Sequence, residues 1–169
     1  MMLPQVFALQ WHRALFEQDM AQVWSSMTTD FRRVVAQVAL GKDPRPHGEL
    51  DPIVDELSAA VPAREDLQQF FSAACSILQN SCRVSPDSVG AGTSTRIEAP
   101  AFEVVRLYML EDLAIDAEGN YFLQPGHAAR ALTLVLSAEE DESWRMAGIG
   151  GVLIPGWPPT LDWESPAEA

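Results

Sequence analysis

The chain has 169 residues, and its 24 acidic and 11 basic side chains give a formal net charge of −13. Because 47% of the residues are hydrophobic, the chain is too apolar for an intrinsically disordered protein. A nucleic acid or an anionic membrane would repel this charge, so we expect neither as the main partner. The length predicts one domain, and we assign it to residues 1–154, followed by an acidic tail at 155–169 that contains Pro and Trp.

The two cysteines, Cys75 and Cys82, lie seven positions apart in one predicted helix. Their Cα atoms are expected roughly 10 Å apart, which is too far for a disulfide. We therefore predict free thiols and a reducing, cytoplasmic location. No metal-ligand spacing, signal peptide or membrane-spanning run is recognisable, and no cofactor is predicted.

Apolar side chains at helical spacing predict three helices in the first quarter of the chain. The first is expected over residues 6–18. Asp19 is a suitable N-cap for a short second helix, and residues 28–30 offer the start of a third, which Gly41 is expected to end.

Two further helices are predicted after a loop at residues 42–48. Asp51 and Pro52 are typical of an N-cap and a first helical residue, and Pro62 is expected to end that helix. The strongest helical pattern covers residues 63–82, and residues 83–95 read as a loop or an irregular edge.

Beyond residue 95 the apolar period changes from about 3.6 residues to about 2. One strand is predicted over residues 96–110, with an edge or bulge at Pro100. The face shared by its even-numbered positions carries Phe102, Val104, Arg106, Tyr108 and Leu110.

After a turn at 118–120, two more strands are expected at 128–137 and 143–150. The acidic residues 139–142 are expected to form the hairpin loop between these strands. Helices followed by a meander of strands indicate an α+β fold, with N-terminal helices packed on a curved antiparallel sheet.

Several of these features together are similar to the nuclear-transport-factor-2-like superfamily, also called SnoaL-like or cystatin-like. They are the first helix ending near Asp19, the short segment 23–27, the sequence Thr-Asp-Phe-Arg at 29–32, and strands that close on 144–149. The resemblance covers roughly residues 5–40 and 96–151, and it implies a cone whose open end is a pocket. Residues 49–82 depart from the pattern, because two helices are predicted where many members have one helix and a strand.

The family includes isomerases, dehydratases and cyclases beside non-catalytic binding proteins, so the fold does not select a function. The resemblance implies an Asp base and an acid or Tyr oxyanion donor in the steroid-isomerase type of member, and this pair does not map onto the sequence. The expected pocket residues are His12, Phe102, Arg106, Tyr108 and Trp144.

Each of these candidates has a structural alternative. His12 is either a general base at the cone mouth or a half-exposed helix residue. Arg106 and Tyr108 share an apolar strand face and suit a carboxylate or an oxyanion. They equally suit a structural ion pair with Asp30, or with Glu103 of a second copy. Aromatic residues such as Phe102 and Trp144 read first as core.

Three functions follow as hypotheses. The first, which we prefer, is a non-catalytic domain that binds a small apolar ligand or a protein and acts as a homodimer. The second is an isomerase, dehydratase or cyclase that uses His12, Arg106 and Tyr108, which requires these side chains to converge. The third is an acidic inhibitor of a basic partner. Ten of the thirteen net negative charges lie in residues 98–169.

Overall fold

The computed structural model describes residues 2–90, 92–98, 101–139 and 143–150. The α-helices of these ranges are α1 (Pro4–Phe16), α2 (Met20–Ser25), α3 (Thr29–Leu40), α4 (His47–Ala59) and α5 (Gln68–Ser81). The strands are β1 (Val89–Gly90), β2 (Ser94–Glu98), β3 (Ala101–Met109), β4 (Ala114–Ile115), β5 (Tyr121–Phe122), β6 (Ala131–Ala138) and β7 (Trp144–Ile149). The α+β class is therefore confirmed.

Side-chain caps begin the second and third helices where the sequence predicts them. The Asp19 carboxylate accepts a hydrogen bond from the backbone N–H of Gln22, and the Thr28 hydroxyl accepts one from Phe31. Each cap satisfies a backbone donor that the first helical turn leaves unpaired. Gly41 ends α3 as predicted, in a right-handed conformation.

The predicted start of α4 at Asp51 is wrong. The helix begins at His47, and Pro52 lies inside it. Leu50 is 1% exposed, so the first turn is held by the burial of this side chain, a gain that offsets the hydrogen bond missing at Pro52. Within a helix, a proline ring crowds the carbonyl group of the residue four positions earlier. For Pro52 that residue is Gly48.

The predicted helix over 63–82 is shorter in the structure. A 3-10 turn at Glu65–Leu67 precedes α5, which then buries Phe71, Ala74, Cys75 and Leu78. Of the two alternatives for residues 83–95, the irregular edge is the one found, because a 3-10 turn at Pro86–Ser88 is followed by β1 and the start of β2 along β3.

The prediction of one strand over 96–110 is also wrong, since β2 and β3 are two antiparallel strands with Ile97 opposite Phe102. Residues 99 and 100, including the predicted bulge at Pro100, lie outside the described residues. A proline has no backbone N–H for a ladder, which favours a reversal at this point over a continuous strand.

The main sheet is antiparallel, with β1 and β2 end to end along one edge of β3 and then β6 and β7 in order. The register of β6 and β7 shifts between Val135 and Leu136, as in a β-bulge. Met27 adds a parallel bridge beside Met146 on β7. The predicted turn at 118–120 is present and joins β4 and β5, a separate two-stranded ribbon.

The core lies between the helices and one face of this sheet. Trp11 and Leu15 of α1, Trp24 of α2 and Phe71 of α5 belong to the same cluster as the inward side chains of the strands. Those inward side chains are Val105, Leu107, Leu132, Leu134, Leu136 and Met146. The helices therefore cover this face of the sheet, which we call the helical face.

Candidate functional site

The opposite face of the sheet carries three of the five predicted site residues. Because side chains alternate along a strand and Val105 and Leu107 point to the helices, Phe102, Arg106 and Tyr108 point away from them. The paired strand β6 contributes Thr133 opposite Arg106 and Val135 opposite Val104. We call this surface the outer face, with positions Thr95, Ile97, Phe102, Val104, Arg106, Tyr108, Thr133, Val135, Ser137 and Arg145.

The middle of the outer face is apolar and dry. Val104 is 3% exposed and Val135 is 0% exposed, although the core cluster under the helices contains neither. Burying two such side chains contributes about 1.5–3 kcal/mol each. The outer face is therefore not an ordinary solvated surface.

Arg106 and Tyr108 are positioned by the irregular junction between β1 and β2. The backbone N–H of Arg106 donates to the carbonyl of Thr93 at 2.9 Å, and the hydroxyls of Thr93 and Tyr108 are 3.3 Å apart. Gly92 lies so close to the Arg106 carbonyl and the Tyr108 ring that a Cβ there would overlap both. The junction is thus pressed against β3 at the level of the candidate residues.

Charge on the outer face is opposite in sign to that of the whole molecule. Its named positions include Arg106 and Arg145 and no Asp or Glu. Arg106 forms no ion pair with a carboxylate of the described residues, so the expected partner Asp30 is not used. Arg145 donates to the Ser25 carbonyl at 3.0 Å. Burial lowers the pKa of the nearby Arg32, and the charge of Arg145 lowers it further.

His12 lies elsewhere, on the helical side of the molecule. Its ring is 0% exposed and packs edge-to-face on Phe16 with a centroid distance of 5.1 Å. Neither ring nitrogen has a hydrogen-bond partner among the described residues. Burial lowers its pKa, and the nearby backbone of Val84 and Cys82 opposes the shift only in part. His12 is thus neither at an open mouth nor half-exposed.

Trp144 is on the helical side as well. Its indole N–H donates to the Met2 carbonyl at 2.8 Å, and its ring packs against the core cluster. The structure therefore brings Phe102, Arg106 and Tyr108 together and leaves His12 and Trp144 apart from them. Sequence reasoning did not select Thr133, Val135 or Arg145 for this face, although period-2 alternation in β6 contained the signal for two of them.

Two small open pockets have none of the named outer-face positions in their lining. One of about 200 Å³ is lined by Gln18, Met20, Pro62, Gln68, Phe71, Ser72 and Cys75. Another of about 240 Å³ is lined by Ser88, Met109, Leu110 and Glu111. Both are below the usual 300–1,000 Å³ of ligand sites. Burial raises the pKa of the Cys75 thiol, and that of Cys82 to about 12, which disfavours the reactive thiolate.

Within the described ranges, no group of three or more His, Cys, Asp or Glu side chains is placed to hold a metal ion. The helices of those same ranges are all too short or too polar to cross a membrane. Comparison with protein-family models, with curated proteins and with solved structures finds no match to this chain.

Proposed function

We propose that the protein is a non-catalytic binding domain whose outer face holds an apolar ligand carrying a carboxylate. The observation that supports this most is Arg106, a half-buried cation without an acidic partner in the described residues, beside a dry apolar strip. A guanidinium in such a setting suits a carboxylate, because charge-assisted hydrogen bonds are about twice as strong as neutral ones. The half-buried Phe102 supplies apolar contact area, and Val104 and Val135, which are buried in this structure, lie between it and Arg106.

The fold that we propose for this domain is the nuclear-transport-factor-2-like cone. Its support is the order of elements, with helices before an antiparallel sheet, and the contacts of α1 with β3, β6 and β7. The register shift at Val135 and the break between β1 and β2 are of the kind that curve a sheet.

The catalytic alternative requires His12, Arg106 and Tyr108 at one point. The first of these is buried on the helical side and the other two are on the outer face, which favours binding over catalysis. The homodimer expected from the sequence stays a prediction, and sedimentation equilibrium over a range of protein concentrations tests it.

Decanoate is a suitable probe, and decanol is its uncharged counterpart. We expect saturable binding of decanoate to the full chain, and weaker binding of decanol. Replacing Arg106 with Met keeps the aliphatic stem and removes the charge, so the affinity for decanoate should fall at least about tenfold. Calorimetric or fluorescence titration measures these affinities.

Arg96→Met is the matched control, because Arg96 is exposed and lies on the other face of the sheet, directly across from Glu103 in the register of β2 and β3. It should leave the affinity for decanoate unchanged. Equal binding of decanoate and decanol, or equal loss in the Arg96 and Arg106 variants, would contradict a carboxylate site at Arg106.

A further inference from the structure

The segment that follows the sheet has a composition complementary to the outer face. Residues 151–169 contain three acidic side chains and no Lys or Arg. They also contain large apolar side chains, namely Val152, Leu153, Ile154, Trp157, Leu161 and Trp163. The outer face, in contrast, carries two arginines, no acid and an apolar strip. The segment is therefore opposite in charge to the outer face, and both contain apolar side chains.

The described residues end at Gly150, two strands away from Arg106 and at the same level of the sheet. The backbone N–H of Gly150 donates to the carbonyl of Thr133 at 2.9 Å, and Thr133 is the cross-strand partner of Arg106. Neighbouring strands are about 4.8 Å apart, so residue 150 lies about 10 Å from the Arg106 backbone across β6. Gly150 has φ +115°, a conformation that residues with a side chain rarely adopt.

The segment is long enough to cover this face. The strands β2, β3, β6 and β7 span about 15 Å from first to last, and an extended residue covers about 3.3 Å. Five or six residues therefore cross the sheet, and the segment has 19. Asp162 and Glu164 flank Trp163, so the segment has a negative charge directly next to a large apolar ring. The outer face has the complementary arrangement, with the positive Arg106 next to the apolar Val135.

We propose that residues 151–169 of the same chain dock on the outer face when no ligand is bound, and that a carboxylate ligand displaces them. The proposal rests on the function proposed above and adds its regulation. An indole in contact with Val104 and Val135 excludes water from the strip, and an acidic side chain pairs with Arg106. An incoming ligand then competes with a tethered occupant that is always present at high effective concentration.

Tryptophan fluorescence of the full chain tests this proposal. The contribution of Trp157 and Trp163 is obtained as the difference between the wild type and a variant with both replaced by Phe. We expect blue-shifted emission and weak quenching by acrylamide for these two indoles. Arg106→Glu should shift their emission to the red and increase quenching, whereas Arg96→Glu, on the other face, should change neither.

Adding decanoate should likewise expose the two indoles in the wild type. Emission of fully solvated tryptophan without ligand, with decanoate still bound, would overturn docking and leave the proposed function standing. Buried indoles together with no binding of decanoate would overturn displacement and the proposed function, but not docking. Burial that increases with protein concentration would overturn docking within one chain, because it would assign the occupant to a second copy.

Discussion

At the scale of single residues, the buried imidazole of His12 makes folding depend on pH. Its pKa is lowered in the folded chain from an unfolded value near 6.5, so between these two values the unfolded chain binds more protons. The contribution to stability is full above pH 6.5 and is lost as the pH falls toward the folded pKa, by at most about 1.4 kcal/mol per pH unit.

Replacing His12 with Leu should therefore flatten the pH dependence of the free energy of unfolding between pH 6.5 and pH 5. Urea denaturation at several pH values measures the free energy of unfolding of the wild type and of the variant. The titration of carboxylates contributes equally to both proteins, so it cancels in the difference between them. His127→Leu is the control, because His127 is exposed in a loop. Parallel pH profiles for the wild type and His12→Leu would show that His12 does not titrate on unfolding.

Gly92 is a second residue where a single atom matters. An added Cβ would overlap the Arg106 carbonyl and the Tyr108 ring, so Gly92→Ala should cost about 1–3 kcal/mol of stability through overpacking. Gly48, in the first turn of α4, has open space around its Cβ position. Gly48→Ala should therefore be neutral or stabilise by up to about 1 kcal/mol. Equal effects of the two substitutions in urea denaturation would contradict the close approach at Gly92.

At the scale of elements, the six-residue α2 is too short to be stable alone. Trp24 fixes it by packing edge-to-face on Phe70 and Phe71 at 5.5 and 5.6 Å between ring centroids. Its buried indole N–H has no hydrogen-bond partner among the described residues, so the ring and not the polar atom provides the stability.

Trp24→Ala should accordingly cost about 3–5 kcal/mol, measured as the loss in free energy of unfolding. Trp24→Phe retains an aromatic ring and removes the unpartnered donor, and it should cost less than half as much as Trp24→Ala. A Phe variant as unstable as the Ala variant would indicate that the indole N–H has a partner in solution.

The elements also show what the sequence could and could not predict. Caps at Asp19 and Thr28 are local interactions, and the first was predicted at its residue whereas the second was predicted only as one of residues 28–30. The start of α4 was missed because the burial of Leu50, a tertiary effect, outweighed the local preference of Asp51 and Pro52. The pairing of β2 with β3 was missed because period-2 alternation continues through a hairpin and does not mark its reversal.

At the scale of the whole molecule, the net charge of −13 is unevenly distributed, because the named positions of the outer face include two arginines and no acidic residue. Sequence reasoning grouped Phe102, Arg106 and Tyr108 correctly, since alternation within one strand determines their common side. It did not separate them from His12 and Trp144, because the side of the sheet that the helices cover depends on packing between distant segments. The acid-free character of the outer face likewise required the register of four strands.

A decanoate titration of the isotopically labelled full chain, followed by NMR, shows directly whether the outer face is the binding surface. We expect the methyl signals of Val104 and Val135 and the backbone amide signals of Arg106 and Thr133 to shift together and saturate. Signals of Gln18 and Cys75, in the pocket on the helical side, should not move. Shifts confined to that pocket, or none at the outer face at saturation, would contradict binding at the outer face.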